Sequence, residues 1–171
     1  MSDLKTELGA IDTRKAVGRM LLCVVDDTDE LSVALQFAAR RARRTGAHIG
    51  LLYVIDQEAT EYQHWSSVGD LMRAEAQAEA ERVLARAADH VMRWCDTPPV
   101  FYIREGDRRD EVIEQIKEDP SIAFLILGAA TGRDGPGPLV TALTGKWVGQ
   151  LHIPVVIVPG NVSEDEIESF A

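Results

Sequence analysis

The feature that most constrains this chain is a set of short apolar runs placed between helical patterns. "RMLLCVVDD" (19–27), "AHIGLLYVID" (47–56), "SIAFLILGA" (121–129) and "IPVVIVPG" (153–160) show no regular polar/apolar alternation. Continuous hydrophobicity over about six residues suits a strand buried on both faces, as in a parallel sheet. A further strand is expected at Val100–Arg104, and Pro98–Pro99 block the preceding helix from continuing into it.

The intervening segments read as helices. Leu31, Ala34, Leu35, Ala38 and Ala42 share one helical face. Arg40, Arg41, Arg43 and Arg44 crowd its last turns, where cations suit the dipole, and Gly46 marks its stop. A second helix is predicted from about Asp70 to Cys95, with Ala80, Val83, Leu84, Ala87, Val91 and Trp94 on one stripe. Asp107 or Asp110 can cap a short helix that carries Val112, Ile113 and Ile116. A fourth helix is predicted from about Pro138 to Leu151.

The resulting β-α-β-α-β-α-β-α-β order defines an α/β fold, a parallel sheet with helices on both faces and right-handed crossovers. Residues 1–18 read as an arm, 19–160 as one α/β domain and 161–171 as an acidic tail. In that tail Ser163 and Glu166 have capping-box spacing. The polar stretch 57–69 reads as a long connection or lid carrying Tyr62 and Trp65.

Charge narrows the partners. A formal net charge of −10 repels phosphate backbones and anionic membranes, so neither nucleic acid nor a membrane is expected. The N-terminus lacks an apolar signal core and the apolar runs fall short of a membrane span, which points to the cytoplasm. Cys23 and Cys95 have neither metal nor redox spacing and are expected to be reduced thiols.

In open α/β sheets ligands bind beyond the carboxyl ends of the strands, where strand order switches. Two strand ends stand out. The first closes on Asp26–Asp27 and the fourth on "GAATGRDGPGPLVTALTG" (128–145). A carboxylate there can accept hydrogen bonds from ribose hydroxyls or adenine, and a glycine-rich turn before a helix can present N–H groups to phosphate. The structural readings are that an aspartate in "DDTDE" caps the next helix and that the glycines only make a turn.

Taken together, "MLLCVVDDTDELSVALQFAARRA", "AHIGLLYVID", "IREGDRRDEVIEQI", "AFLILGAATG" and "IPVVIVPG" resemble the universal stress protein family over about residues 19–159. The resemblance implies a Rossmann-like five-stranded parallel sheet of order 3-2-1-4-5, with a nucleotide site between strands 1 and 4. It also implies a homodimer through strand 5, at Val155–Val158. ATP-binding members resemble Gly-x2-Gly-x9-Gly-Ser/Thr. Here Gly128 matches, but the second glycine falls on Thr131, the third on Thr141 and the hydroxyl residue on Ala142. Gly132 comes one place late. Pro136 and Pro138 remove N–H donors, and Asp134 repels polyphosphate with only partial offset from Arg133.

Asp26 matches the family's acidic position and Val54 the backbone position that meets adenine, so the adenosine half looks retained and the triphosphate half degraded. Thr131, Thr141 and Thr144 are the available compensating hydroxyls. The candidate set is Val24, Asp26, Val54, Leu127, Gly128, Thr131, Gly132, Thr141, Ala142, Leu143 and Thr144. ATP or AMP is the implied ligand, with magnesium if a triphosphate binds.

Other chemistry is poorly served. The four histidines show no i,i+4 pair, and no G-x-S-x-G elbow occurs. A phosphate-accepting receiver domain resembles the Asp26–Asp27 pair but needs a lysine after strand 5, where this chain has "VPG". The expected function is a binding or regulatory module without turnover. The alternatives are a slow adenine-nucleotide hydrolase and a nucleotide-free dimerisation module.

Overall fold

The computed structural model describes residues 19–56 and 66–171, the first three of the second segment by backbone alone. Among the described residues the strands are β1 (Met20–Val24), β2 (His48–Asp56), β3 (Val100–Gly106), β4 (Ile122–Ala129) and β5 (Val155–Pro159). The α-helices are α1 (Glu30–Thr45), α2 (Ser66–Met92), α3 (Arg108–Glu118), α4 (Pro138–Thr144) and α5 (Glu164–Phe170). The strands form one sheet of order β3-β2-β1-β4-β5 with every pairing parallel. Register places Leu22 of β1 beside Gly50 of β2 and Leu125 of β4.

The unbroken apolar runs are explained by the two cores they serve. Leu21, Cys23, Ile49, Leu51, Ile126 and Val158 point to one face, against Ala34, Leu35 and Ala38 of α1 and Val83, Leu84 and Val91 of α2. Leu22, Val24, Leu52, Val54, Leu125 and Leu127 point to the other, against Val112, Ile113 and Ile116 of α3 and Val140 and Leu143 of α4. A strand with helices on both sides has no solvent face to make polar. Each fully buried Leu, Ile or Val contributes roughly 1.5–3 kcal/mol. Cys23, mid-strand in β1, is almost fully enclosed, and burial pushes its thiol up to about 12.

Two helices differ from the sequence expectation. α2 begins at Ser66 rather than Asp70 and ends at Met92, so part of the expected 57–69 connection is helical. Tyr62 and Trp65 lie outside the described residues. Trp94 sits past the helix end, in a turn where its N–H reaches the Val91 carbonyl at 3.0 Å, with the Arg40 guanidinium 4.3 Å over its ring.

α4 stops at Thr144 instead of running to Leu151. The Gly145 N–H bonds the Thr141 carbonyl at 3.2 Å, and the chain then makes a short 3-10 turn at Val148–Gln150. Trp147 and Leu151 still pack on the second core, so their apolar spacing serves burial without a continuous helix.

The last residues dock on α1. Ser163 and Glu166 form a reciprocal capping box that starts α5, and Ile167 is fully buried. Arg44 donates to the carbonyls of Glu168, at 2.6 Å, and Ala171, at 2.7 Å. Arg40 pairs with the Glu168 carboxylate.

Candidate functional site

At the carboxyl ends of β1 and β4 the chain leaves the sheet in opposite directions, α1 toward one face and the 130–137 loop toward the other. The gap between them is a crevice of ≈ 140 Å³. Val24 and Asp26 enter it from β1, Leu127 and Gly128 from β4, and Pro136 to Val140 from the loop and α4. Arg108, at the start of α3, lines it as well.

Asp26 does not cap α1. Its Oδ1 accepts from the backbone N–H of Thr28 at 3.2 Å and from the Thr28 hydroxyl, which folds the β1–α1 connection into a tight turn. The N-cap position is Asp29, whose side chain makes no capping bond. Oδ2 of Asp26 has no hydrogen-bond partner among the described residues, so this side chain retains acceptor capacity in the crevice.

Gly128 has a packing reason of its own. A Cβ built on it would lie 2.9 Å from the carbonyl oxygen of Glu30 and 3.0 Å from its carbonyl carbon. Only a residue without a side chain lets the first turn of α1 sit against the end of β4. Gly137 has a different role, adopting φ 102° as the N-cap residue before Pro138.

The remaining sequence candidates lie elsewhere. Thr131 and Gly132 are exposed and do not line the crevice. Thr141 and Thr144 donate their hydroxyls to the carbonyls of Gly137 at 2.8 Å and Val140 at 2.7 Å, one turn back in α4. Leu143 is fully enclosed in the second core, as is nearly all of Val54. Ala142 borders a neighbouring hollow with Asp56, Asp107, Arg108 and Arg109. The structure thus brings Val24, Asp26, Leu127 and Gly128 together and leaves Val54, Thr131, Gly132, Thr141, Ala142, Leu143 and Thr144 outside the crevice.

Sequence reasoning passed over Thr28, Glu30, Leu31, Arg108, Gly137, Leu139 and Val140, which also line it, and named Pro136 and Pro138 only for their missing N–H. Arg108 carried one signal, a cation in the first turn of a helix, where the dipole favours acids. The loop itself is poor in donors. Pro136 and Pro138 have no N–H, and the Ala130 N–H is turned inward onto the Pro136 carbonyl at 3.3 Å. The exposed Arg133 and Asp134 stand away from the crevice.

These features define a doubly wound α/β domain with its cleft at the switch point between the first and fourth strands. The universal stress protein family matches residues 19–159, and the chain belongs to that family. No curated protein matches the chain by sequence. Among solved structures it is similar to the universal stress protein UspA from Lactobacillus plantarum, with TM-score 0.67 and 23% identity, covering 82% of this chain and 97% of that one. It is also similar to a universal stress protein in complex with cAMP, with TM-score 0.56 and 14% identity over 85% and 99% of the two chains. A third is the universal stress protein from Archaeoglobus fulgidus in complex with dAMP, with TM-score 0.54 and 16% identity over 82% and 98%. The shared fold includes the strand order read from the resemblance. No described helix is long and apolar enough to cross a membrane, and no cluster of three metal-ligating side chains occurs among the described residues.

Proposed function

We propose that this chain is a universal stress-type regulatory module that holds an adenine nucleoside or its monophosphate in the β1/β4 crevice and does not turn it over. The observation that carries the reading is the unengaged Oδ2 of Asp26, facing Gly128 and the apolar side chains of Val24, Leu127 and Leu139 across one cleft. A carboxylate oxygen accepts from ribose hydroxyls, and aliphatic walls suit a purine face.

ATP is a poorer fit than the nucleoside. Asp26 and Glu30 both border the crevice, so a triphosphate would meet two carboxylates and a loop in which Pro136 and Pro138 lack N–H donors. The non-hydrolytic part of the reading rests on the crevice lining. Among the described residues the lining has no histidine, cysteine or lysine, and the bases it offers are the carboxylates of Asp26 and Glu30. That two similar proteins are described with cAMP and dAMP supports a monophosphate class of ligand.

The deciding experiment is isothermal titration with adenosine, AMP and ATP, the last with and without magnesium, on the wild-type chain and on Asp26→Ala. Binding of adenosine or AMP that Asp26→Ala weakens at least about tenfold supports the reading. Tight magnesium-dependent ATP binding with steady release of ADP or AMP overturns it in favour of a hydrolase. No binding of any of the three leaves a nucleotide-free module.

The β5 edge supports a homodimer. Among the described residues β5 pairs only with β4, and Ile157 on it is 40% exposed. An open apolar edge is a pairing surface that a second copy would cover. Val158 is 3% exposed in the first core, so Val158→Lys tests folding rather than this edge. Ile157→Lys is the informative change. Light scattering should show monomer, and a clean Ile157→Lys dimer excludes this edge.

A further inference from the structure

We infer that Arg108 is the phosphate-recognising residue of this chain, and that through it the crevice selects a single phosphoryl group in place of the family's glycine-loop cradle. This rests on the nucleoside reading above and assigns the specificity of that same site.

Three arginines lie close together at the β3–α3 junction, and two have structural work. Arg104 donates to Glu111 at 2.6 Å and Glu118 at 2.7 Å. Arg109 donates to Asp110 at 2.7 Å, stands 3.6 Å from Asp107 and lies 4.2 Å over the Trp147 ring. Arg108 makes no hydrogen bond or ion pair among the described residues, yet it lines the crevice. It is also the first residue of α3, where a cation is disfavoured by the helix dipole. Arg108 is exposed, and among the described residues neither capping nor pairing engages its charge.

Its position suits a ligand anion. Arg108, Pro138 and Leu139 border both the crevice and a hollow of ≈ 380 Å³ whose other walls are Asp56, Asp107, Arg109 and Ala142. Arg108 is thus part of the wall that the two spaces share. A nucleoside with its ribose toward Asp26 would carry its phosphate toward this junction. There Asp107 is already used, accepting from the Asp110 N–H at 3.1 Å and facing Arg109. One uncommitted guanidinium matches one phosphate bidentately, whereas further phosphates would run against Asp56 and Asp107.

The test compares Kd for adenosine, AMP and ATP on the wild type, Arg108→Gln and Arg109→Gln at low and moderate salt. In the wild type, AMP should bind about tenfold tighter than adenosine, with ATP no better than AMP. Arg108→Gln should bring AMP to within about twofold of adenosine while leaving adenosine binding unchanged. Arg109→Gln, the folding and charge control, should keep the AMP preference. The preference should shrink as salt rises, because it is electrostatic. Adenosine binding without any AMP preference, or a preference that survives Arg108→Gln, overturns this inference and leaves the nucleoside reading standing. Failure of both adenosine and AMP to bind overturns the two together.

Discussion

The sheet has a hollow at each end, and they are built oppositely. At the amino ends of the strands, Leu21, Phe37, Phe124, Ile126, Val156 and Phe170, together with Arg19, Arg41 and Thr45, line an open hollow of ≈ 330 Å³ between α1, α5 and the sheet. At the carboxyl ends the crevice has less than half that volume but gathers Asp26, Glu30 and Arg108 beside two chain reversals. The amino-end hollow follows from packing: α5 rests on α1 through Ile167, and the tilted pair Phe37–Phe170, 6.2 Å between ring centroids, spans the space. Three phenyl rings and charges of one sign, Arg19 and Arg41, mark the first hollow, while carboxylates and a guanidinium converge on the second. In a doubly wound sheet the second property marks the ligand end, because there the strands diverge and main chain and charges are released from the core.

Substitutions can break this contrast or sharpen it. The largest effect belongs to the strands that both ends share. Leu22→Ala should cost about 2–5 kcal/mol in urea unfolding, since it empties a fully enclosed site in the central strand. Next, Gly128→Ala should cost about 1–3 kcal/mol, because its Cβ meets the Glu30 backbone. It should also weaken nucleoside binding, whereas Phe170→Ala at the opposite end should lower stability and leave binding intact. A loss of binding in Phe170→Ala would dissolve the distinction between the ends.

A smaller effect is expected from Asp26→Asn. Removing the charge keeps the turn to Thr28, so stability should change by less than about 1 kcal/mol while nucleoside affinity falls. The smallest effect concerns pH at the amino end. Burial raises the Asp119 carboxyl, but hydrogen bonds from the Ser121 hydroxyl, Tyr102 and the Ser121 N–H outweigh it and hold the carboxyl below the usual aspartate range. A depressed carboxylate stabilises above its unfolded value and loses that contribution as pH falls through the folded one. The melting temperature should therefore drop on acidification, and Asp119→Asn should flatten that part of the profile. An unchanged slope in the variant would assign acid sensitivity elsewhere.

How much of this was legible in the sequence depends on whether a feature is local. The runs around Leu22, Leu51, Leu125 and Val156 announced buried strands because two helical layers leave no polar face. Asp107 was readable as a cap, and it does accept from the Asp110 N–H. The end of α4 misled because Val140, Leu143, Trp147 and Leu151 keep near-helical spacing through a chain reversal at Gly145. At the site, Asp26 and Gly128 were legible as strand ends. Thr141 came from the family's motif spacing and Thr144 as a compensating hydroxyl, but in α4 both hydroxyls bond carbonyls one turn back, and Leu143 turns into the core. Arg108 carried only its place in the first turn of α3 as a signal, because its approach to β1 and β4 is made by the α3 crossover, which no spacing along the chain expresses.

Cys23 lends the molecule a built-in clock. It sits at the middle of β1, with β2 and β4 on either side and helices above and below, and its proton is held tightly. A thiol reagent can modify it only after the central strand is laid open, so the labelling rate in native buffer times whole-sheet opening. A ligand bound at the carboxyl ends would slow that rate in proportion to its own occupancy, making one silent side chain a gauge of what the crevice holds.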